Sequence, residues 1–325
     1  MTRKGNFRKS ISLVFLVLLT ISLNAQTTIT EVINAFNAGA EEVNAGNFEA
    51  AIAKFEETIT LADELGAEGD EMKANSQAQI PALNYRMALD TYKAKDISGA
   101  ITKFEATVEA CDKYGNDDVK AKSLKYIPQL YNAQGNAQVK NSDYDGALAS
   151  FDKAIEYKPD YARAMYGKGL VYKKQDDDAN MIATLDKAIE VGTAAGDDKT
   201  TAAAVKTLRD HYVNSGMLAY KAESYDEAIK NFEASYKYDS ESADPYYLTC
   251  VIYGKQENYE KAVEFGLKAA QYEDASDQAK IWYEIGNAYV SLVEYEKACD
   301  AYSKALVEPY MASVKHKMDN VLKCQ

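Results

Sequence analysis

The stretch from Trp282 to Leu306 reads WYEIGNAYVSLVEYEKACDAYSKAL. It sets Trp282, Gly286, Tyr289, Tyr295, Ala298, Tyr302 and Ala305 mostly three or four residues apart. Steps of that size return to one side of an α-helix, so the stretch reads as helical on both sides of a short polar break. Weaker versions of the same pattern recur through the chain, which makes the repeat the first property to establish.

Seven segments carry a small residue, then an aromatic or other large residue: NFEAAIAKFEET, DISGAITKFEAT, DYDGALASFDKA, DANMIATLDKA, SYDEAIKNFEAS, NYEKAVEFGLKA and EYEKACDAYSKA. Their anchors are Ala51, Ala100, Ala147, Met181, Ala228, Ala262 and Ala298. Twelve residues before each anchor stands Gly39, Ala88, Gly135, Gly169, Gly216, Cys250 or Gly286. Four residues after it stands Phe55, Phe104, Phe151, Leu185, Phe232, Gly266 or Tyr302. This is the logic of two helices packed as a hairpin: the small residue lets the backbones approach, and the large side chain fills the space between them. Polar turns such as NAGN, KNSD and KQEN supply the reversal.

Signature and spacing together resemble the tetratricopeptide repeat, a 34-residue helix-turn-helix unit. The segment 282–305 is nearly a complete copy of that family's pattern. The resemblance spans residues 30–325 and implies an all-α fold: an α-solenoid of seven hairpins wound as a right-handed superhelix. The units fall near 31–65, 70–113, 117–158, 161–192, 199–240, 243–273 and 276–308, with a cap at 310–323. In that cap Met311, Val314, Met318 and Val321 share one face. The fourth unit lacks the small anchor, and the sixth has Gly266 in place of the large residue.

The gaps between anchors are 49, 47, 34, 47, 34 and 36 residues, so three of them carry about 13 extra. The insertions KANSQAQIPAL (73–83) and KAKSLKYIPQL (120–130) match each other, evidence that a longer unit was duplicated. LGAEGDE, YGNDDV and AGDDKT put glycine where a helix ends and aspartate where one begins. The reading is a lengthened second helix followed by a lengthened first helix. Pro81 and Pro128 either kink that long helix or open a new one.

At the amino end MTRKGNFRKS carries Arg3, Lys4, Arg8 and Lys9 with no acid, and the apolar run Ile11 to Leu23 follows. This mainly apolar run of 13 residues (11–23) before Ala25 reads as a signal peptide cleaved after residue 25, shorter than the roughly 20 of a membrane span. Retention as an anchor is the second reading. Removal of residues 1–25 takes away four positive charges and moves the net charge from −13 to −17. So acidic a chain is a poor match for a phosphate backbone, which excludes nucleic acid as the expected partner. Cys111, Cys250, Cys299 and Cys324 are too few for a disulfide scaffold and read as buried small residues, with a Cys299 to Cys324 bridge as the alternative.

The groove of such an array is lined by the first helix of each pair, at positions three before, one after and five after the small residue. Three before stand Phe36, Tyr85, Asn132, Tyr166, Val213, Tyr247 and Tyr283. These are either rings packed between neighbours or a ladder for an extended peptide or a sugar face. Five after stand Asn44, Lys93, Lys140, Lys174, Lys221, Lys255 and Ser291. The lysines either complement the negative end of the helix dipole or form a basic stripe for partner carboxylates. Asn136 and Asn287 match the asparagine of the family's carboxylate clamp, but Asn132 and Tyr283 replace its lysine, so that recognition does not carry over.

Nothing in the sequence assembles a catalytic or metal site. His211 and His316 share no metal-ligand spacing and read as helix-surface residues, YGKGL at 166–170 has no strand before it, and DDD at 176–178 lacks the alternation of a calcium loop. No cofactor is expected. The expectation is a non-enzymatic scaffold that binds a protein or peptide partner. By resemblance to exported bacterial members, it would be periplasmic or outer-membrane-associated, in an envelope complex serving assembly or secretion. A glycan-binding module and an architectural subunit using its convex face are the alternatives.

Overall fold

The computed structural model describes residues 27–324; the amino-terminal segment read as an export signal lies outside them. Among the described residues there is no strand, and the helices alternate as seven pairs. The first helices are α1 (Ile29–Ala45), α3 (Asp70–Lys93), α5 (Asp117–Lys140), α7 (Ala162–Lys174), α9 (Asp198–Lys221), α11 (Ala243–Lys255) and α13 (Ala279–Ser291). Their partners are α2 (Phe48–Leu65), α4 (Ile97–Tyr114), α6 (Tyr144–Tyr157), α8 (Asp178–Ala195), α10 (Tyr225–Tyr236), α12 (Tyr259–Tyr272) and α14 (Tyr295–Ser303). A short α15 (Met311–His316) and a π-helical turn (Lys317–Leu322) follow.

The described residues form two compact units, one of residues 27–90 with 105–121 and one of residues 91–104 with 122–324. The first is organised around Ala51, Phe55, Ile80, Leu83 and Ala110, with Phe36, Phe48 and Tyr114 packed against them. In the second, apolar clusters follow one another hairpin by hairpin, around Phe151, Leu185, Phe232, Ile281 and Tyr302.

The expected interlock is visible atom by atom. A Cβ on Gly39 would lie 2.8 Å from Phe55, one on Gly135 2.8 Å from Phe151, and one on Gly169 2.5 Å from Leu185. On Gly216 it would lie 2.6 Å from Phe232, and on Gly286 2.5 Å from Tyr302. Real Cβ atoms essentially never approach so closely, so a side chain at these glycines would force the facing ring or leucine to shift, though the second hairpin accommodates Ala88 at the equivalent position. The fourth hairpin keeps the arrangement without a small anchor, since Met181 itself is fully buried beside Leu185. The sixth inverts it: Cys250 faces Gly266, where a Cβ would meet Ile285 at 2.6 Å and the Cys250 sulfur at 3.2 Å.

Each hairpin turn places one residue in the left-handed region, five positions before the anchor. These residues are Gly46, Lys95, Ser142, Asp176, Glu223, Glu257 and Val293. The next amide bonds back to a carbonyl five residues earlier, as Asn47 does to Glu42 and Glu294 to Tyr289. That is a Schellman closure, repeated in every turn. Only the first uses glycine; Val293, with φ 63°, is β-branched and carries the greatest backbone cost. The second helices α6, α8 and α12 begin on side-chain caps, with Asp143, Asp177 and Asn258 accepting from the amides of Gly146, Asn180 and Lys261, whereas α2, α10 and α14 have none.

The long helices follow a rule of length. α3, α5 and α9 each have 24 residues, against 13 in α7, α11 and α13. Pro81 and Pro128 sit inside α3 and α5, buried and without a break in the helix. Both stand seven residues before their small residue, where α7, α11 and α13 begin. At the first position of a short helix the amide has no partner to lose, so a proline there tolerates an extension added upstream.

Three expectations need correction. Val321 does not share the buried face of the cap: the π turn adds one residue, so Val321 is exposed and Leu322 packs instead, beside Val314 and Met318. Cys299 and Cys324 form a disulfide, Cα atoms 5.7 Å apart, while Cys111 and Cys250 remain free and buried. His211 is not simply on the surface; its side chain is 15% exposed, 3.7 Å from Asp178 and edge-on to Tyr212.

Candidate functional site

The rings three residues before the small position are half-buried. Phe36 lies tilted on Phe55, centroids 5.5 Å apart. Tyr166 packs on the cluster of Met165, Met181 and Leu185. Tyr247 packs on the cluster of Ile281 and Ile285, and burial raises the pKa of its hydroxyl. The Lys280 ammonium stands 5.3 Å from the Tyr247 ring centroid. Tyr85 is half-buried in α3. Asn132 is half-buried too, and its Oδ1 is enclosed without a hydrogen-bond partner, whereas Asn136 is exposed.

Lys93, Lys140, Lys174, Lys221 and Lys255 are all exposed in the last turn of their helices, where a cation meets the negative end of the dipole. Lys255 also stands 5.8 and 5.9 Å from the centroids of Tyr220 and Tyr225, whose hydroxyls raise its pKa.

Two of the residues do meet. Between α11 and α13 lies a depression of about 300 Å³, lined by Cys250, Val251, Gly254, Lys255, Tyr259, Ala262, Glu284, Asn287, Ala288 and Ser291. Lys255 brings a cation, Glu284 a carboxylate, and Asn287 and Ser291 neutral hydrogen-bonding groups. Gly254 leaves the wall open, since a Cβ there would touch nothing within 4 Å. Neither Tyr247 nor Tyr283 lines this depression.

Tyr283 and Asn287 are instead engaged by the end of the chain. Tyr283 Oη and Ser313 Oγ are 3.1 Å apart, and its ring faces Tyr310 at 5.2 Å. Asn287 Oδ1 accepts from Tyr302 Oη at 2.8 Å and from the Lys317 ammonium; its Nδ2 donates to Glu284 at 3.2 Å. Lys317 also lies 5.1 Å from the Tyr283 centroid. Lys317 is the functional neighbour that sequence reasoning missed. The available signal was spacing: Val314 stands 33 residues after the buried Ile281, nearly one repeat, so the cap docks as an eighth first helix would.

Among the described residues no group of histidine, cysteine and acidic side chains could hold a metal ion, and no helix is long and apolar enough to cross a membrane.

Family models agree with this architecture. One described as TPR repeat matches residues 135–176, and two described as tetratricopeptide repeat match 213–279 and, in two copies, 162–191 and 279–306. The Hsp70-Hsp90 organising protein of Plasmodium falciparum is 28% identical over 104 residues, 30% of this chain and 18% of that protein. This chain therefore spans under a fifth of that relative. Among solved structures, the yeast Sti1 TPR2AB-domain:pHSP90 complex is 15% identical, covering 90% of this chain and 93% of that one, TM-score 0.30. A tetratricopeptide repeat protein from Parabacteroides merdae is 14% identical, covering 90% and 98%, TM-score 0.28. The repeat matched at four places and the interlocked hairpins lead to one conclusion: the chain belongs to the tetratricopeptide repeat family.

Proposed function

We propose that the protein is an interaction scaffold that holds a protein or peptide partner against its first helices, with the depression between α11 and α13 as the contact. The observation that carries this reading is the convergence of Lys255, Glu284, Asn287 and Ser291 on one open hollow, with Lys255 and Ser291 exposed at its rim and the half-buried Glu284 and Asn287 behind them. Such a set orients a peptide backbone and discriminates charge, as specific recognition requires. The match to the Hsp70-Hsp90 organising protein, whose name describes work on other proteins, supports a scaffold role.

The scaffold acts outside the cytoplasm, in assembly or secretion at a bacterial cell envelope. Two observations support this: the basic then apolar pattern of residues 1–25, and the disulfide Cys299–Cys324, a bond at home in an oxidising compartment. Catalysis has no part in the proposal.

The test is capture. The full chain, in the form cells produce, is cross-linked to native envelope extract beside the variant Lys255→Glu/Ser291→Arg, two exposed positions whose change leaves helicity intact. Retention of a defined protein by the wild type and its loss from the variant supports the reading. Equal retention by both removes the α11–α13 groove from it.

A further inference from the structure

The alternation of long and short first helices leaves a gap in one place, and the gap has a chemistry. α5 and α9 each begin eighteen residues before their small residues, Gly135 and Gly216; α7, between them, begins seven before Gly169. The missing length amounts to about 16 Å of helix at 1.5 Å per residue. What remains is a cleft of about 620 Å³, over twice the volume of the α11–α13 hollow. One wall is the α5 extension, with Leu124, Lys125 and Pro128. The floor is the start of α7, with Tyr161 and Ala162, and the far wall is the α8–α9 junction at Gly196 and Asp197. It opens where successive hairpins connect, at the opposite end of α7 from Lys174.

We propose that this cleft is a second binding site, for a short acidic peptide segment of a partner protein that inserts an aromatic or aliphatic side chain. Size comes first: 620 Å³ is within the range of sites that enclose a ligand. The lining supplies both halves of the recognition. Leu124, Pro128 and the half-buried Tyr161 present apolar surface. Lys125, Lys158 and Arg163 bring three cations against the carboxylates of Asp160 and Asp197, in a chain whose net charge is −13. Lys125 is exposed and has no ion-pair partner among the described residues. Lys158 stands 5.3 Å from the Tyr161 ring centroid and likewise has no carboxylate partner among the described residues. Of the three cations, only Arg163 pairs with a carboxylate among the described residues, its Nε donating to Asp197 at 3.1 Å.

Asp197 is also committed elsewhere, since it caps α9 by accepting from Thr200. The rim is thus short of negative charge while the protein as a whole has an excess of it. A partner carboxylate is what that rim attracts.

The probe is a phage-displayed library of random twelve-residue peptides, selected on the full chain. The expected winners carry Asp or Glu flanking an aromatic or aliphatic residue. As synthetic peptides they lose at least tenfold in affinity for Lys125→Glu/Lys158→Glu and none for Lys255→Glu. Both positions are exposed, so the fold survives, and unchanged far-ultraviolet circular dichroism verifies it. Absence of enrichment, enrichment without acidic residues, or equal affinity for the charge-reversed variant overturns the proposal. Loss on Lys255→Glu alone assigns the peptides to the α11–α13 groove and likewise overturns the cleft, so the two sites fail separately.

Discussion

In the fifth hairpin Gly216 of α9 receives the ring of Phe232 from α10; in the sixth, Gly266 of α12 receives Ile285 from the following hairpin, with the Cys250 sulfur beside it. The same gap between helices is filled from opposite sides. What the fold demands is therefore one large and one small group across the contact, not a particular residue at a particular position. This explains how a hairpin lacking the aromatic still takes its place among the others. It also separates two kinds of position: interlocked ones that tolerate only compensated change, and edge or groove ones free to vary in charge.

The comparison predicts a graded set of effects on urea unfolding followed by circular dichroism. Phe232 is fully buried, so Phe232→Ala costs about 3–5 kcal/mol. A loss under 1 kcal/mol would mean that the slot collapses without it and the interlock carries little. The last hairpin relies in addition on a covalent staple: Cys299–Cys324 spans 25 residues, and Cys324→Ser lowers stability by about 3 kcal/mol in the loop-closure estimate, with protection lost first around Val314 and Leu322 in hydrogen exchange.

Gly266→Ala comes next, at about 1–3 kcal/mol, because the new methyl would meet the Ile285 side chain at 2.6 Å. Adding Ile285→Val relieves part of that cost, which a double-mutant cycle reads as coupling. At the turns, where no interlock exists, the sign reverses. Val293 is 66% exposed with φ 63°, and Val293→Gly stabilises by about 1 kcal/mol.

The smallest effect concerns Asp197. Partial burial raises its pKa, but hydrogen bonds from the Thr200 side chain and amide, with the Arg163 charge, outweigh that and leave it below the ordinary carboxylate value. A depressed folded pKa contributes stability that is present above about pH 4 and lost as the pH falls through the lower folded value. Asp197→Asn therefore flattens the acid limb of the stability profile below about pH 4 and leaves its shape above pH 5 unchanged.

The interlock was legible in the sequence because it obeys fixed offsets, twelve before and four after each anchor, and packing enforces them. The long helices were legible from the paired insertions, though not the continuity of α3 and α5 through Pro81 and Pro128, since proline at that position opens a helix or rides inside one equally well. The terminal half-turn was not legible: a π turn carries no sequence rule that tells Val321 from Leu322. The grouping of Lys255 with Asn287 depends on which neighbouring helices leave space, as does the α7 cleft. Spacing along one helix specifies a face; it does not specify what the next helix leaves uncovered.

The most direct test of the scaffold reading places a photo-activatable benzoyl-phenylalanine at position 291, in the α11–α13 groove, and separately at Lys230, exposed on α10, in the native cell envelope. The account predicts a discrete cross-linked protein from position 291 and none from 230. Cross-linking of the same protein from 230 alone would contradict it and move the contact to the second helices.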